Sequence, residues 1–138
     1  MALTREEREQ FLAEPRIAAL SVAAGPGRAP LTVPIWYQYA PGGDVWVMTG
    51  RDSRKNRLIG EAGRFTLMVE RSTPTVRYVS VEGPVVDTVP GTLDRLREIT
   101  ARYLPAEKVE PYVDLAWKDH GEQVVLHMRP ERWVSSDL

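Results

Sequence analysis

The stretch Leu31–Ala40 (LTVPIWYQYA) most constrains the fold, because its side chains alternate between two faces. This period of two is the pattern of a half-buried β-strand. The turn sequence Pro41–Asp44 (PGGD) follows, and the apolar run Val45–Gly50 (VWVMTG) leads back. Two such runs joined by a glycine-rich turn predict a β-hairpin. One face of the first strand would carry Leu31, Val33, Ile35, Tyr37 and Tyr39.

Four more short apolar runs predict further strands: Ile17–Ala24, Phe65–Glu70, Val76–Val89 and Gln123–Arg129. Hairpin-like connections dominate the first half of the chain, which favours an antiparallel sheet. Closure of that sheet into a small barrel would remove exposed strand edges. We therefore expect a mostly β fold, a β-barrel with peripheral helices and six or so largely antiparallel strands, with a short tail after residue 130.

Helices are expected at the periphery of this barrel. Thr4 and Glu7 have the spacing of a capping box, which predicts a helix over about residues 4–13. Thr92 can cap a helix that Pro105 ends. Apolar residues then recur at helical spacing over residues 109–117, which predicts a last amphipathic helix.

Length and composition bound the remaining possibilities. A chain of 138 residues fits one domain, 1–138. No window holds the roughly 18 apolar residues of a membrane helix, and the charged start MALTREEREQ lacks the apolar core of a signal peptide. The net charge of −1 argues against general nucleic-acid binding. With no cysteine in the chain, thiolate sites are excluded. These features are compatible with a cytoplasmic protein that binds neither membranes nor nucleic acid.

Familiar catalytic motifs are missing. His120 and His127 are the only histidines, and no close-spaced ligand set accompanies them. The sequence also lacks a nucleophile elbow, a phosphate-binding Walker loop, a dinucleotide fingerprint and an obvious carboxylate pair. We therefore expect no metal site and assign no catalytic residue.

A concentration of positive charge stands out in this nearly neutral chain. Arg51, Arg54, Lys55 and Arg57 all lie within MTGRDSRKNRL, residues 48–58. The segment is open to three interpretations: a solvated turn, a nucleic-acid patch or a phosphate site.

The local sequence favours the phosphate site. Asp52 and Ser53 are good N-cap residues for a helix through about Ala62, which Gly63 would end. Free amides and the positive end of the helix dipole attract an anion there. Cations at that end are otherwise unfavourable, and a bound anion would resolve the conflict.

Two other segments are candidates for close approach by a ligand. Pro34 interrupts the hydrogen-bonding pattern of its strand, so exposed backbone beside Pro34 and Trp36 can border a flat aromatic ligand. The alternative is a core tryptophan at an edge strand. Gly83 would allow another chain segment or a ligand to approach closely, or would mark an ordinary bulge.

In order, these features resemble the pyridoxamine 5′-phosphate oxidase-like family, the flavin-binding split barrels. The resemblance rests on the strand TVPIWY, a Thr that closes the third strand, an S-x-K element and a closing PERWVSSDL segment. In this chain they lie at Thr32–Tyr37, Thr49, Ser53–Lys55 and Pro130–Leu138.

The resemblance implies a homodimer with two cofactor clefts and a bound FMN or, in one branch, the deazaflavin coenzyme 420. The ring system would be bordered by Val33, Pro34, Ile35 and Trp36. The phosphate would be surrounded by Thr49, Arg51, Ser53, Arg54 and Lys55. Trp133 would approach the ring from the partner subunit. The implied activity is hydride transfer between the cofactor and a small organic substrate.

Two departures from the family pattern qualify this expectation. Leu58 stands where many relatives have an asparagine, three residues after the lysine. The chain also lacks the C-terminal extension of true pyridoxamine-phosphate oxidases, so oxidation of that vitamer is not expected. A non-catalytic flavin- or haem-binding carrier, and a plain structural domain, remain open as alternatives.

Overall fold

The computed structural model describes all 138 residues. Its eight strands are β1 (Ala18–Val22), β2 (Leu31–Ile35), β3 (Tyr37–Tyr39), β4 (Val45–Gly50), β5 (Arg64–Arg71), β6 (Arg77–Pro90), β7 (Gln123–Met128) and β8 (Arg132–Asp137). Its four helices are α1 (Arg5–Ala13), α2 (Arg54–Ala62), α3 (Leu93–Tyr103) and α4 (Ala106–Asp119). No helix is both long enough and apolar enough to cross a membrane.

The strands form one curled antiparallel sheet in the order β2-β1-β5-β6-β7-β4-β3. The long strand β6 joins its two halves: residues 77–84 pair with β5, and residues 85–90 pair with β7 after an irregularity between Val85 and Asp87. The two end strands, β2 and β3, are consecutive in the chain with only Trp36 between them. The sheet therefore curls back on itself at Trp36, which confirms the expected split β-barrel.

Two strands differ from the sequence-based expectation. The strand predicted over Leu31–Ala40 is interrupted at Trp36, because β2 pairs with β1 whereas β3 pairs with β4. The segment expected to be a tail after Pro130 instead forms β8, which pairs with β6. Its pairing is long-range, so neither local propensity nor a turn signal marks it.

Local signals located the helices well. Thr4 and Glu7 form the complete capping box, and the Ser53 and Thr92 side chains each accept a hydrogen bond from the backbone three residues on. Gly63 ends α2 with a φ of 73°, a left-handed conformation that glycine adopts readily. Each of these contacts lies within a few residues, so the sequence alone specifies them.

Gly83 lies where two strands approach closely. A β-carbon there would come 1.7 Å from the carbonyl oxygen of Arg129. The expected close approach is therefore made by the chain itself, at the connection between β7 and β8.

The core fills the barrel interior with fully buried side chains from five strands: Leu20, Tyr37, Val47, Leu67 and Val81. A second, smaller cluster lies beneath α3, where Ile99 packs with Trp46 and Val125. The α3–α4 hairpin thus covers part of the outer face of β4 and β7 and forms one wall of the site described next.

Candidate functional site

A cleft of about 500 Å³ opens beside the interruption at Trp36. We call it the main cleft. It is lined by Pro34, Ile35 and Trp36 at the end of β2, by Lys55 of α2, and by residues of the α3–α4 hairpin. Its volume is within the range of about 300–1,000 Å³ typical of ligand pockets.

Aromatic rings hold Trp36 at the cleft wall. Its indole stacks on Tyr103 of α3, with ring centroids 4.9 Å apart and planes inclined by 11°. Tyr112 of α4 contacts the same indole at 5.5 Å, inclined by 40°. Because both tyrosines lie on the hairpin, this cluster fixes the hairpin and the indole relative to each other. The cleft thereby gains a preformed aromatic wall.

Lys55 is the one lysine or arginine of the main cleft, and no carboxylate lies within 4.0 Å of it. Burial of the side chain lowers the pKa of Lys55 below its ordinary value, because desolvation disfavours the charged ammonium. A half-buried cation without a counterion is unfavourable unless an anion binds beside it.

The start of α2 orders the residues before Lys55. The Ser53 hydroxyl accepts from the Asn56 N–H at 3.1 Å and lies 3.3 Å from the hydroxyl of buried Thr49. The Asn56 side chain donates to the Arg51 carbonyl at 2.9 Å. Asn56 thus stabilises the turn before α2, while Leu58 packs into the core. Thr49 and Ser53 do not themselves line the cleft.

The two predicted phosphate-binding arginines also lie outside the cleft lining. Arg51 pairs with Glu122 at 2.6 Å, and this contact raises the pKa of Arg51. Arg54 is exposed and forms no ion pair. Of the two guanidinium groups, only that of Arg54 is therefore available without breaking a salt bridge.

Val33 and Trp133 are also separate from the main cleft. Val33 packs against the core and borders a shallow groove on the outer face of β1, β2 and β5. Trp133 lies on β8, under the guanidinium of Arg8 and edge-on to Tyr39. The structure therefore brings together Pro34, Ile35, Trp36 and Lys55 from the predicted set.

Sequence analysis missed most of the remaining wall. These residues come from six separate parts of the chain, and only the fold brings them together: Ile17, Met48, Leu96, Ile99, Tyr112, His120 and Gln123. His120 follows α4, where the left-handed Gly121, with a φ of 65°, redirects the chain. An end-of-helix glycine is a recognisable signal, but it says nothing of which cleft the histidine borders.

No family model matches the chain, and no curated protein matches it. Several solved structures do match the chain. A conserved hypothetical protein from Mycobacterium tuberculosis has a TM-score of 0.75 and 24% identity, over 99% of this chain and 86% of that one.

Two further solved structures that are similar to this chain belong to proteins whose names include a cofactor. An F420 reductase has a TM-score of 0.72 and 22% identity, over 91% of this chain and 94% of that one. A FAD-binding protein from Mesorhizobium loti has a TM-score of 0.67 and 15% identity, over 99% of this chain and 95% of that one. At these identities the likeness establishes the shared split-barrel fold, as the sequence resemblance implied.

Proposed function

We propose that the chain binds a phosphorylated flavin or deazaflavin in the main cleft and transfers hydride between it and a small organic substrate. The observation that carries this proposal is Lys55, a half-buried ammonium without a counterion that faces the same cleft as an aromatic wall. A planar ligand with a phosphate satisfies both features at once.

The chemistry of the lining fits such a cofactor. Pro34, Ile35 and Trp36 offer an apolar border for a ring system, and Lys55 offers a compact charge for a phosphate. When bound, the cofactor supplies the hydride chemistry, while the protein binds, orients and shields it. Ser53 and Arg54 are sequence neighbours of Lys55 at the start of α2, and they would add a hydroxyl and a guanidinium donor for the phosphate.

FMN is the first cofactor candidate, and the deazaflavin coenzyme 420 is the second. The named neighbours, an F420 reductase and a FAD-binding protein, support a cofactor of this chemical type. Both candidates are planar and anionic, so the same cleft chemistry serves either. The exposed cations Arg54 and Arg57 would favour the longer acidic tail of the deazaflavin.

We also propose that the chain acts as a homodimer. The shallow groove bordered by Val33 is mostly apolar and shares Ile17 and Pro34 with the main cleft. Ile17 is 63% exposed in the single chain. A second copy covering this groove would bury Ile17 and close one side of the cleft. Trp133 of the partner is the residue we expect to approach the ring.

The cofactor proposal is tested by titrating the apo-protein with FMN and, in parallel, with the deazaflavin. Binding at equilibrium is followed by fluorescence. We expect micromolar or tighter binding of one of them. Lys55→Met should weaken binding at least about tenfold, the effect of one charge-assisted contact. Lys108→Met is the matched control, because Lys108 is exposed and outside the cleft. Equal loss in both variants would remove Lys55 from the site.

Turnover separates an oxidoreductase from a carrier. If an added reductant reduces the bound cofactor and an added acceptor reoxidises it, the chain is an oxidoreductase. If the cofactor binds tightly but does not exchange electrons with either, the chain is a carrier. Haem titration covers the other carrier hypothesis. His127 lies on β7 opposite Trp46 and outside the main cleft, so no observation favours it as an axial ligand there. Sedimentation of the loaded protein as a monomer would contradict the dimer.

A further inference from the structure

A second cleft, of about 310 Å³, shares no residue with the main cleft. It lies between α1, the turn after β3 and the segment that leads into β8. Three arginines line it: Arg5 and Arg8 from α1, and Arg129 from the end of β7. Tyr39 and Trp133 form its aromatic part. We call it the arginine cleft.

These arginines lack the close carboxylate partners that other arginines of this chain have. Arg97 reaches Glu110 at 2.8 Å, and Arg16 reaches Glu14 at 3.0 Å. In the arginine cleft, by contrast, Arg5 is 3.9 Å from Glu9, which is too long for a hydrogen bond. The guanidinium of Arg5 therefore keeps donors that no carboxylate of the chain satisfies at hydrogen-bond distance.

The other two arginines of the cleft are less paired still. Arg129 is 3.9 Å from Glu131, and Arg8 has no carboxylate within 4.0 Å. The Nε of Arg8 is moreover buried without any hydrogen-bond partner. A buried N–H donor without an acceptor costs about 1–3 kcal/mol. Because this atom has no exposed surface, a ligand would bind the terminal nitrogens of the Arg8 guanidinium, which are not among the buried ones.

Arg8 is held in place by packing. Its guanidinium carbon lies 4.6 Å above the Trp133 ring, and Trp133 meets Tyr39 edge-on at 6.4 Å. Both contacts restrict the rotamers of the side chains involved. A fork of donors fixed on an aromatic face loses little further entropy when it binds a planar or tetrahedral oxyanion.

The charges of the cleft favour one anionic group. Glu9 and Asp44 line it together with the three arginines, which leaves a formal charge of +1. Glu9 lies nearest to Arg5, so Arg8 and Arg129 remain for a ligand. We propose that the arginine cleft binds the phosphate group of a small molecule, with Arg8 and Arg129 as its donors. Within one chain this site shares no lining residue with the main cleft, but its Trp133 is the residue that the proposed dimer would bring toward the partner's cofactor.

Calorimetric titration of the full chain tests this proposal, with inorganic phosphate and glycerol 3-phosphate as probes at constant ionic strength. We expect millimolar or tighter binding of at least one probe. Arg8→Gln and Arg129→Gln should each weaken it about tenfold or more. Arg28→Gln is the matched control, because Arg28 is exposed, unpaired and outside the cleft. Tighter binding of the ester than of phosphate would identify a phosphorylated metabolite, and equal binding would identify free phosphate.

The guanidinium of Arg8 provides a direct spectroscopic readout. Its Nε–H resonance, identified by its loss in Arg8→Lys, should shift when phosphate binds. Thermal unfolding of each variant checks that the fold is intact, and exposed Arg129 provides the second variant if Arg8→Gln unfolds. Absence of binding, or an equal loss in Arg28→Gln, would overturn the proposal. Displacement of phosphate by FMN would also overturn it, because the cleft would then belong to the cofactor site.

Discussion

The hydroxyl of Tyr103 accepts a hydrogen bond from the backbone N–H of Tyr37 at 3.1 Å. Tyr37 is the first residue after the interruption at Trp36. The same hydroxyl also contacts the carbonyl oxygen of Arg16 at 2.8 Å. One side chain from α3 thus satisfies backbone groups at the barrel closure and stacks on Trp36. Tyr103 therefore contacts both Trp36 at the cleft wall and the backbone at the point where the barrel closes.

Replacement of Tyr103 by Phe should therefore destabilise the protein by about 1–3 kcal/mol, because two backbone groups lose a partner. Chemical denaturation measures the change. Tyr112→Phe is the matched control: its ring also contacts Trp36, but its hydroxyl makes no hydrogen bond within the protein. A similar effect in both variants would mean that ring packing, rather than the hydroxyl, supports the closure.

Gly83→Ala should destabilise the protein by about 3 kcal/mol or more, because the new methyl group meets the Arg129 carbonyl. The comparison is Gly60→Ala on α2, where a β-carbon has no neighbour within 4 Å. That change should stabilise by about 0.5–1 kcal/mol. Denaturation midpoints of the two variants should move in opposite directions, and parallel shifts would contradict the assigned contact.

The pH dependence of the free energy of unfolding should show the effect of burying the Lys55 ammonium. Burial lowers its pKa in the folded protein from 10.5, so the unfolded chain binds more protons in the window just below that value. Stability of the apo-protein should rise with pH across this window. Lys55→Met should remove that rise and stabilise the apo-protein at neutral pH. Urea denaturation between neutral and alkaline pH measures it, with exposed Lys108→Met as the control.

Affinity for the proposed cofactor should change in the opposite sense over the same window. An anion binds the charged form of Lys55, so raising the pH through its lowered pKa should weaken cofactor binding. Fluorescence titrations at several pH values measure this effect. A flat profile in the native protein, with Lys55→Met indistinguishable from it, would show that the phosphate does not contact Lys55.

Acid should loosen β8. The hydrogen bonds from Arg77 lower the pKa of Asp137 below its ordinary value. A lowered carboxyl pKa stabilises the fold above the unfolded pKa, and this contribution disappears as the pH falls through the folded one. Asp137→Asn should reduce the acid-side slope of stability, measured by denaturation between pH 6 and about pH 3. Asp114→Asn, at an exposed and unpaired position, should leave the slope unchanged.

Prediction from sequence succeeded where the interaction is short-range. The caps at Thr4, Ser53 and Thr92 join residues three apart, so each helix start is specified by a few neighbouring residues. The alternating face of Leu31–Ala40 likewise follows from the strand period. The family resemblance implied cofactor contacts for Pro34, Ile35, Trp36 and Lys55. These four residues line one cleft, and their contact with a cofactor stays a prediction.

The partners of those residues depended on long-range packing. The sequence by itself determined the helix starts, the strand faces and the local concentration of cations before α2. Only the tertiary structure decided that Trp36 stacks on Tyr103, that Arg51 pairs with Glu122 and that Lys55 remains without a counterion. The physical reason is that caps and strand periods act between near neighbours. The environment of a side chain in a cleft depends instead on which distant segments the folded barrel brings beside it.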